Sequence, residues 1–331
     1  MNQEHKPLVT AVIPVYNHEK YVVESIRSIL DQSYPNIELI VINDGSKDRS
    51  HELILALLDE CKQRVSRFEY INRSNMGLTA TLNQALGMAK GKYFSILASD
   101  DIALPDKFAL LVDALESADG TCAAAFGNAE FIDNDDHRIR LSEDGLISHT
   151  KTAATYDNYL DFRTGGGRVV DYRGTEFGHF RSLLAHNYLP AMSCVVKTDL
   201  IRKVGAWTEG NASEDWELWR KLSKHYRFLY LDISVALYRW HDSNSVKISS
   251  PKLKLCSLSL LTLERQYCAQ HGLLSYWKRA YPSLWLPVLM DKRITWGEKL
   301  SEFQLSELLP VSFYVAKRAV QKILKIVRNE K

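Results

Sequence analysis

Two adjacent carboxylates, Asp100 and Asp101, follow directly on the apolar run Tyr93-Phe94-Ser95-Ile96-Leu97-Ala98. Acids at the end of a buried strand suit a hard divalent cation, Mn²⁺ or Mg²⁺, which takes carboxylate oxygens and shares the rest of its shell with water and the phosphates of a diphosphate. The simpler alternative is that they cap the helix that Pro105 helps to start. A second acidic pair, Glu214-Asp215, opens the stretch Asn211 to Arg220, which reads as a helix start with Asn211 or Ser213 as N-cap and Trp216, Trp219 and Leu222 on an apolar face. Acids there complement a helix dipole in any protein. His241, in Tyr238-Arg239-Trp240-His241, can complete a cation's shell or touch a diphosphate, and can equally be a structural histidine at a chain reversal.

These residues need a scaffold that brings them to one place. Val9 to Pro14 is an apolar run, and Glu19 to Asp31 then puts Val22, Ile26, Ile29 and Leu30 on one helical stripe. The alternation recurs: Glu38–Ile42 reads as strand, His51–Gln63 as helix, Phe68–Ile71 as strand, Leu78–Lys90 as helix and Tyr93–Leu97 as strand. Strands alternating with helices of this length predict an α/β fold, a doubly wound and mostly parallel sheet with helices on both faces. Ligands of such sheets sit at the carboxyl ends of the strands. The four strand ends carry Pro14-Val15-Tyr16-Asn17, Asn43-Asp44-Gly45-Ser46, Asn72-Arg73-Ser74-Asn75-Met76-Gly77 and Ser99-Asp100-Asp101. On that rim Asp44 can accept from a nucleobase N–H or a ribose hydroxyl, Tyr16 can stack on or bound a base, and Arg73 can neutralise phosphate or contact the base. Taken singly each loop is ordinary turn chemistry.

In this order and spacing, Val12-Ile13-Pro14-Val15-Tyr16-Asn17, Val41-Ile42-Asn43-Asp44-Gly45-Ser46, Asn75-Met76-Gly77 and Ala98-Ser99-Asp100-Asp101 resemble the family-2 nucleotide-sugar glycosyltransferases with the GT-A fold, continuously over about the first 110 residues. The resemblance implies inverting transfer of a hexose from a nucleoside diphosphate sugar, with Asp44 near the base, Asp100 near the ribose or sugar, and Asp101 as the carboxylate on the metal. Pro14, Tyr16, Asn17, Arg73, Asn75 and Gly77 complete the donor side. It carries the catalytic base onto Asp215, with Glu214 and Trp216 on the acceptor side and His241 as a further metal ligand. Leu189 to Lys197 and Val204-Gly205-Ala206-Trp207 resemble the strand and turn beneath the acceptor pocket. By analogy with members of this size, the expected donor is a UDP-sugar and the acceptor a saccharide or polyprenyl-diphosphate-linked saccharide of a bacterial surface polysaccharide such as lipopolysaccharide O-antigen or capsule. A nucleotidyltransferase would need a glycine-rich phosphate loop after the first strand, and Pro14 to Glu19 contains no glycine. A non-catalytic nucleotide-sugar-binding protein is the other reading, and the presence of every expected carboxylate argues against it.

Composition bounds the rest. With 46% apolar and 25% charged residues in 331, the chain can bury a sizeable core, and a net charge of +2 provides no field for nucleic acid. Five scattered cysteines without a Cys-x-x-Cys argue against a disulfide framework and a zinc site and fit a cytoplasmic protein. Neither a signal peptide nor an apolar run of roughly 18 residues is present. The expected organisation is a donor-binding half over 1–110, an acceptor-binding half over 111–250 and a helical region over 251–331, with the weakly patterned stretch Gly127 to Asn187 as a substrate lid. Val315 to Arg328 places Ala316, Val320, Ile323, Leu324 and Val327 on one face among lysines and arginines, which suits peripheral contact with an anionic membrane or packing on protein, including a second subunit.

Overall fold

The computed structural model describes residues 6–242, 244 and 250–301, and falls into two compact units, 1–248 and 249–331. The basic stretch Val315 to Arg328 lies outside the described residues. In the first unit the chain runs β1 (Val9–Val15), α1 (Val22–Leu30), β2 (Ile37–Asp44), α2 (Ser50–Leu55), α3 (Leu58–Arg64), β3 (Arg67–Arg73), α4 (Leu78–Met88), β4 (Tyr93–Ile96), β5 (Ile102–Ala103), α5 (Lys107–Ser117) and β6 (Cys122–Ile132). It continues through β7 (Arg138–Ser142), β8 (Ile147–Ser148), β9 (Thr155–Tyr156), α6 (Tyr159–Thr164), β10 (Cys194–Lys197), α7 (Thr198–Lys203), α8 (Glu214–Ser223) and β11 (Arg227–Arg239).

The sheet order is β3-β2-β1-β4-β10-β6-β11-β5, with β7 to β9 as a side ribbon on β6. From β3 to β4 all pairs are parallel, β10 runs antiparallel between β4 and β6, and β11 pairs with β6 in parallel. Side chains alternate along each strand, so each central strand feeds two cores. Val9, Ala11 and Ile13 join Leu39, Phe108, Ala125 and Val195 on one face. Val12 joins Ile40, Leu82, Phe126, Val196 and Trp219 on the other.

The departures from expectation are local. Helix α1 begins at Val22 rather than Glu19 because Tyr21 and Val22 both donate to the His18 carbonyl, closing a turn first. The stretch 51–63 is broken between α2 and α3, where the Leu57 N–H reaches the Ile54 carbonyl three residues back. Residues 127–132 are the second half of the buried strand β6, and β7, β8, β9 and α6 follow, so the long irregular part of the expected lid is the chain after Thr164, with shorter turns at 133–137, 143–146 and 149–154. Apolar alternation in Ala123-Ala124-Ala125-Phe126 continues through Gly127 only because a glycine fits there: a Cβ would lie 2.6 Å from Val235 Cγ2.

The second unit has helices over Pro251–Leu263, Arg265–Gln270, Leu274–Met290 and Trp296–Ser301. Ser250 caps the first of these by accepting the Leu253 N–H, and the Trp277 indole donates to the Leu261 carbonyl while stacking on Tyr281. Among the described residues no helix is long and apolar enough to cross a membrane.

Candidate active site

A cavity of about 520 Å³ opens at the carboxyl ends of β1, β2 and β4 and extends to the start of α8. That volume suits a small-molecule ligand. Its walls gather Pro14, Tyr16, Asp44, Asn75 and Gly77 on one side with Asp100 and Asp101 on the floor. Glu214, Asp215, Trp207 and Trp219 stand on the opposite side. The four strand ends and the start of α8 therefore meet in one place, which is the juxtaposition the parallel sheet predicts.

The first loops are braced against each other. Both oxygens of Asp44 are engaged, accepting the backbone N–H groups of Met76 at 2.9 Å and Gly77 at 2.8 Å, while Arg73 pairs with it at 3.0 Å. Gly45 has φ +77°, and a Cβ there would meet the Asn75 nitrogen at 2.6 Å, so the turn closes only with glycine. Arg73 also donates to the Thr81 hydroxyl, which takes it to the support of Asp44 rather than to the cavity wall. Asn17 likewise acts from outside the wall: in the left-handed region at φ 56°, its side-chain oxygen accepts the Lys47 N–H and its own N–H donates to the Ser46 hydroxyl oxygen, tying the β1 end to the β2 end. Tyr16 is 48% exposed at the mouth.

Asp100 and Asp101 are not helix caps, since β5 lies between them and α5. The surroundings of the two carboxyl groups differ. The Asp100 carboxylate lies 3.0 Å from His241 Nε2 and 3.9 Å from His18 Nε2. Burial raises its pKa, but the bond to His241 and the charge of His18 outweigh it and hold Asp100 below the ordinary carboxylate value. Asp101, 1% exposed, turns inward to accept the Arg239 N–H at 3.0 Å. Burial, then the charge of Asp100, push its pKa well above the usual value against the opposing pull of Arg239 and Lys107. An ionised carboxylate beside an imidazole, as at Asp100 and His241, is a donor set that suits Mn²⁺.

Arg239 is the brace of this floor. Buried at 1% exposure, it donates from Nε to the Asp100 carbonyl and from its fork to the Asp133 carbonyl, Asp136 and Glu24, with Tyr21 stacked 4.7 Å from its guanidinium. Tyr21 in turn stacks on His241 at 5.4 Å and donates to Asn134. The β6–β7 turn above also brings ligand atoms of Asp133, Asp135 and His137 within 4.8 Å of one another, an Asp-x-Asp-like group in which Asp133 already accepts the N–H groups of Asp135 and His137.

On the facing wall, helix α8 presents Glu214, Asp215, Leu218 and Trp219. Trp216 lies off that stripe, its indole donating to the Leu183 carbonyl and its ring stacked under Arg220. Trp219 and Trp207 line the cavity and Trp216 does not, because residues 215, 218 and 219 share a helical face and 216 does not. Ser213 is the N-cap by position without a side-chain capping bond, and Asn211 accepts the Ser213 N–H while donating to Glu217. Burial raises the pKa of Asp215, partly countered by the hydrogen bonds from Asn187 and Trp216 and by the charge of Arg163. Burial, reinforced by Asp215, pushes Glu214 up to about 8.

Sequence reasoning missed His18, Tyr159 and Asn244 among the lining residues and Arg239 beneath them. His18 carried a signal, as the one imidazole directly after a strand-end loop; the others are placed by tertiary packing alone.

Comparison with known proteins fits this geometry. The family described as Glycosyl transferase family 2 matches residues 10–185. An uncharacterised glycosyltransferase of Rickettsia prowazekii is 37% identical over 235 residues, 70% of this chain and 64% of that protein. Another from Rickettsia typhi is 28% identical over 253 residues, 76% of this chain and 69% of that protein. Matches to further relatives span smaller shares, 23% of a Rickettsia felis glycosyltransferase and 35% of one from Haemophilus influenzae. Among solved structures, the mannosyltransferase PcManGT of Pyrobaculum calidifontis, in complex with GDP-Man and Mn²⁺, aligns over 98% of this chain and 83% of its own at TM-score 0.54 and 16% identity. S. aureus TarS 1-349 with UDP-GlcNAc aligns over 89% of this chain and 79% of its own at TM-score 0.57 and 16% identity. At such identities the likeness establishes the fold, GT-A.

Proposed function

The chain belongs to glycosyl transferase family 2, and from that membership we propose that it is an inverting enzyme moving a hexose from a nucleoside diphosphate sugar, a UDP-sugar, to a hydroxyl of a saccharide or lipid-linked saccharide. The setting is assembly of a bacterial surface polysaccharide at the cytoplasmic face of the membrane. The observation that carries this reading is one cavity lined by the strand-end residues Pro14, Tyr16, Asp44, Asn75 and Gly77, by Asp100 and Asp101, and by Asp215, with His241 bonded to Asp100 from outside the lining. That structural neighbours are complexes with GDP-Man and Mn²⁺ and with UDP-GlcNAc supports a nucleotide sugar and a divalent cation.

In this reading Tyr16 bounds the base, and Asp44 with Asn75 and Gly77 frames the nucleoside side. Asp100 and His241 would hold Mn²⁺ or Mg²⁺, whose contribution when bound is Lewis-acid stabilisation of the departing diphosphate. Asp101 keeps the turn in place through the Arg239 N–H. Asp215 takes the proton of the acceptor hydroxyl as its oxygen forms a bond to the anomeric carbon from the face opposite the diphosphate. The bond from that carbon to the diphosphate oxygen breaks, and the nucleoside diphosphate carries away the electron pair. Trp207, Trp219 and Leu218 exclude water from the acceptor side. Asp215→Asn should lower transfer by roughly 10²- to 10⁴-fold while leaving donor binding intact. Nucleoside diphosphate release that depends on acceptor is the readout, and near-normal turnover in Asp215→Asn would refute the base assignment.

A further inference from the structure

The geometry points to Arg163 and Asn187 as a two-residue relay that positions Asp215, a role that rests on the reading of Asp215 as the base. Asn187 belongs to the irregular chain before β10, where no regular element fixes it. Its side-chain amide nonetheless donates to Asp215 Oδ2 at 2.9 Å. Arg163 supplies the missing rigidity from α6: its Nε at 3.1 Å and Nη2 at 2.7 Å both donate to the Asn187 main-chain carbonyl. Two N–H groups of one planar fork on one oxygen fix a direction as well as a distance. The other Asp215 oxygen accepts the Trp216 N–H at 2.7 Å, so the carboxylate is held at both oxygens and its rotation is blocked.

A second observation fits a positioning role. Among the described residues, Asn187 Oδ1 is buried without a hydrogen-bond donor. Flipping the amide would leave that oxygen against the oxygen of Asp215, so the orientation is dictated by the carboxylate. A buried acceptor left unmatched is unfavourable for folding, and the arrangement is explained by the bond that the other half of the amide makes. The other titratable groups that face Asp215 are Glu214 on its own helix, Arg163 and Tyr159 on α6, and Cys194 on β10.

The test uses the full chain with carboxyl-¹³C aspartate, the Asp215 signal being identified by its loss in Asp215→Asn. In Asn187→Ala the titration midpoint of Asp215 should move upward, because a donor to the ionised form is gone. Turnover should fall roughly 10- to 100-fold with the donor KM unchanged, and melting should be no lower than in the parent, since the unmatched oxygen leaves with the amide. Arg163→Lys, which keeps the charge and one donor, should lie between the parent and Arg163→Ala in both readouts. An unmoved midpoint overturns the relay, whether or not turnover falls. Equal behaviour of Arg163→Lys and Arg163→Ala overturns the part assigned to Arg163. Should Asp215→Asn stay active, the base reading fails, while the midpoint still judges the contact.

Discussion

Exchanging the carboxyl groups of Asp100 and Asp101 for amides one at a time separates their roles. Asp100 carries its charge toward His241 and His18, whereas Asp101 is turned to the Arg239 N–H and favours its neutral form. Loss of groups that merely orient a metal ligand weakens metal binding about 10- to 100-fold, so loss of the anionic ligand itself should weaken it by at least about 100-fold. At free Mn²⁺ near 100 times Kd, binding adds about 2.7 kcal/mol of stability, and a 100-fold weaker site leaves roughly 0.4 kcal/mol. For a unit of this size each kcal/mol corresponds to roughly 2–4 °C. Mn²⁺ should therefore raise the melting temperature of the parent by about 5–10 °C and that of Asp100→Asn by about 1 °C. Asp101→Asn retains an oxygen for the Arg239 N–H, so with Asp100 as the ligand its shift should stay near the parental one. The assay is a melting curve with Mn²⁺ and with chelator. A full shift in Asp100→Asn combined with none in Asp101→Asn would reverse the assignment.

Glu214→Gln should flatten the dependence of stability on pH. With a folded pKa pushed up to about 8, Glu214 contributes its stability in full below the unfolded carboxylate value and loses it as pH climbs to about 8. The slope is at most about 1.4 kcal/mol per unit for this half-buried group, and parallel parent and variant curves between pH 5 and 8 would count against it. Arg239→Met leaves the carbonyls of Asp100 and Asp133 without their donor, whereas Glu24 and Asp136 return to water. The expected cost is about 3–5 kcal/mol in urea unfolding, and a loss under about 1 kcal/mol would remove Arg239 as the brace. Gly45→Ala forces Cβ onto the Asn75 nitrogen and should cost about 1–3 kcal/mol with weaker UDP binding by titration. Unchanged UDP affinity would separate that turn from the donor side.

The first four strands and the loops at their ends were legible because their signals are local. Apolar runs of four to seven residues set the parallel strands, and a parallel sheet must present its strand ends on one rim. The start of α8 was equally readable from Glu214-Asp215 and the tryptophan spacing. The different hydrogen-bond partners of Asp100 and Asp101 were not, because they depend on an arginine 138 residues later in the chain supplying the N–H that one carboxyl accepts. Trp216 was misplaced for a related reason. Spacing defines an apolar stripe on a helix, but which edge of it meets the cavity and which meets the Leu183 carbonyl is decided by the packed neighbour. Asn187 had no sequence signal at all, since nothing in an isolated asparagine says what its amide will meet.

The two apolar layers bear on how pieces of such enzymes can be recombined. Each layer is built jointly from β1 and β2 and from β6 and β10, and the buried Lys107 of α5 is fastened to the Met192 carbonyl at 2.7 Å across the same line. A chimera joined near residue 110 would mismatch both layers at once and should fail to fold, however well each parent's half binds its own ligand. Exchange of the chain between α6 and β10, which touches Asp215 through Asn187, disturbs mainly one layer, at Val170, Tyr172, Phe177, Leu183, Tyr188 and Leu189, and the other only at Met192, and should be the better tolerated graft.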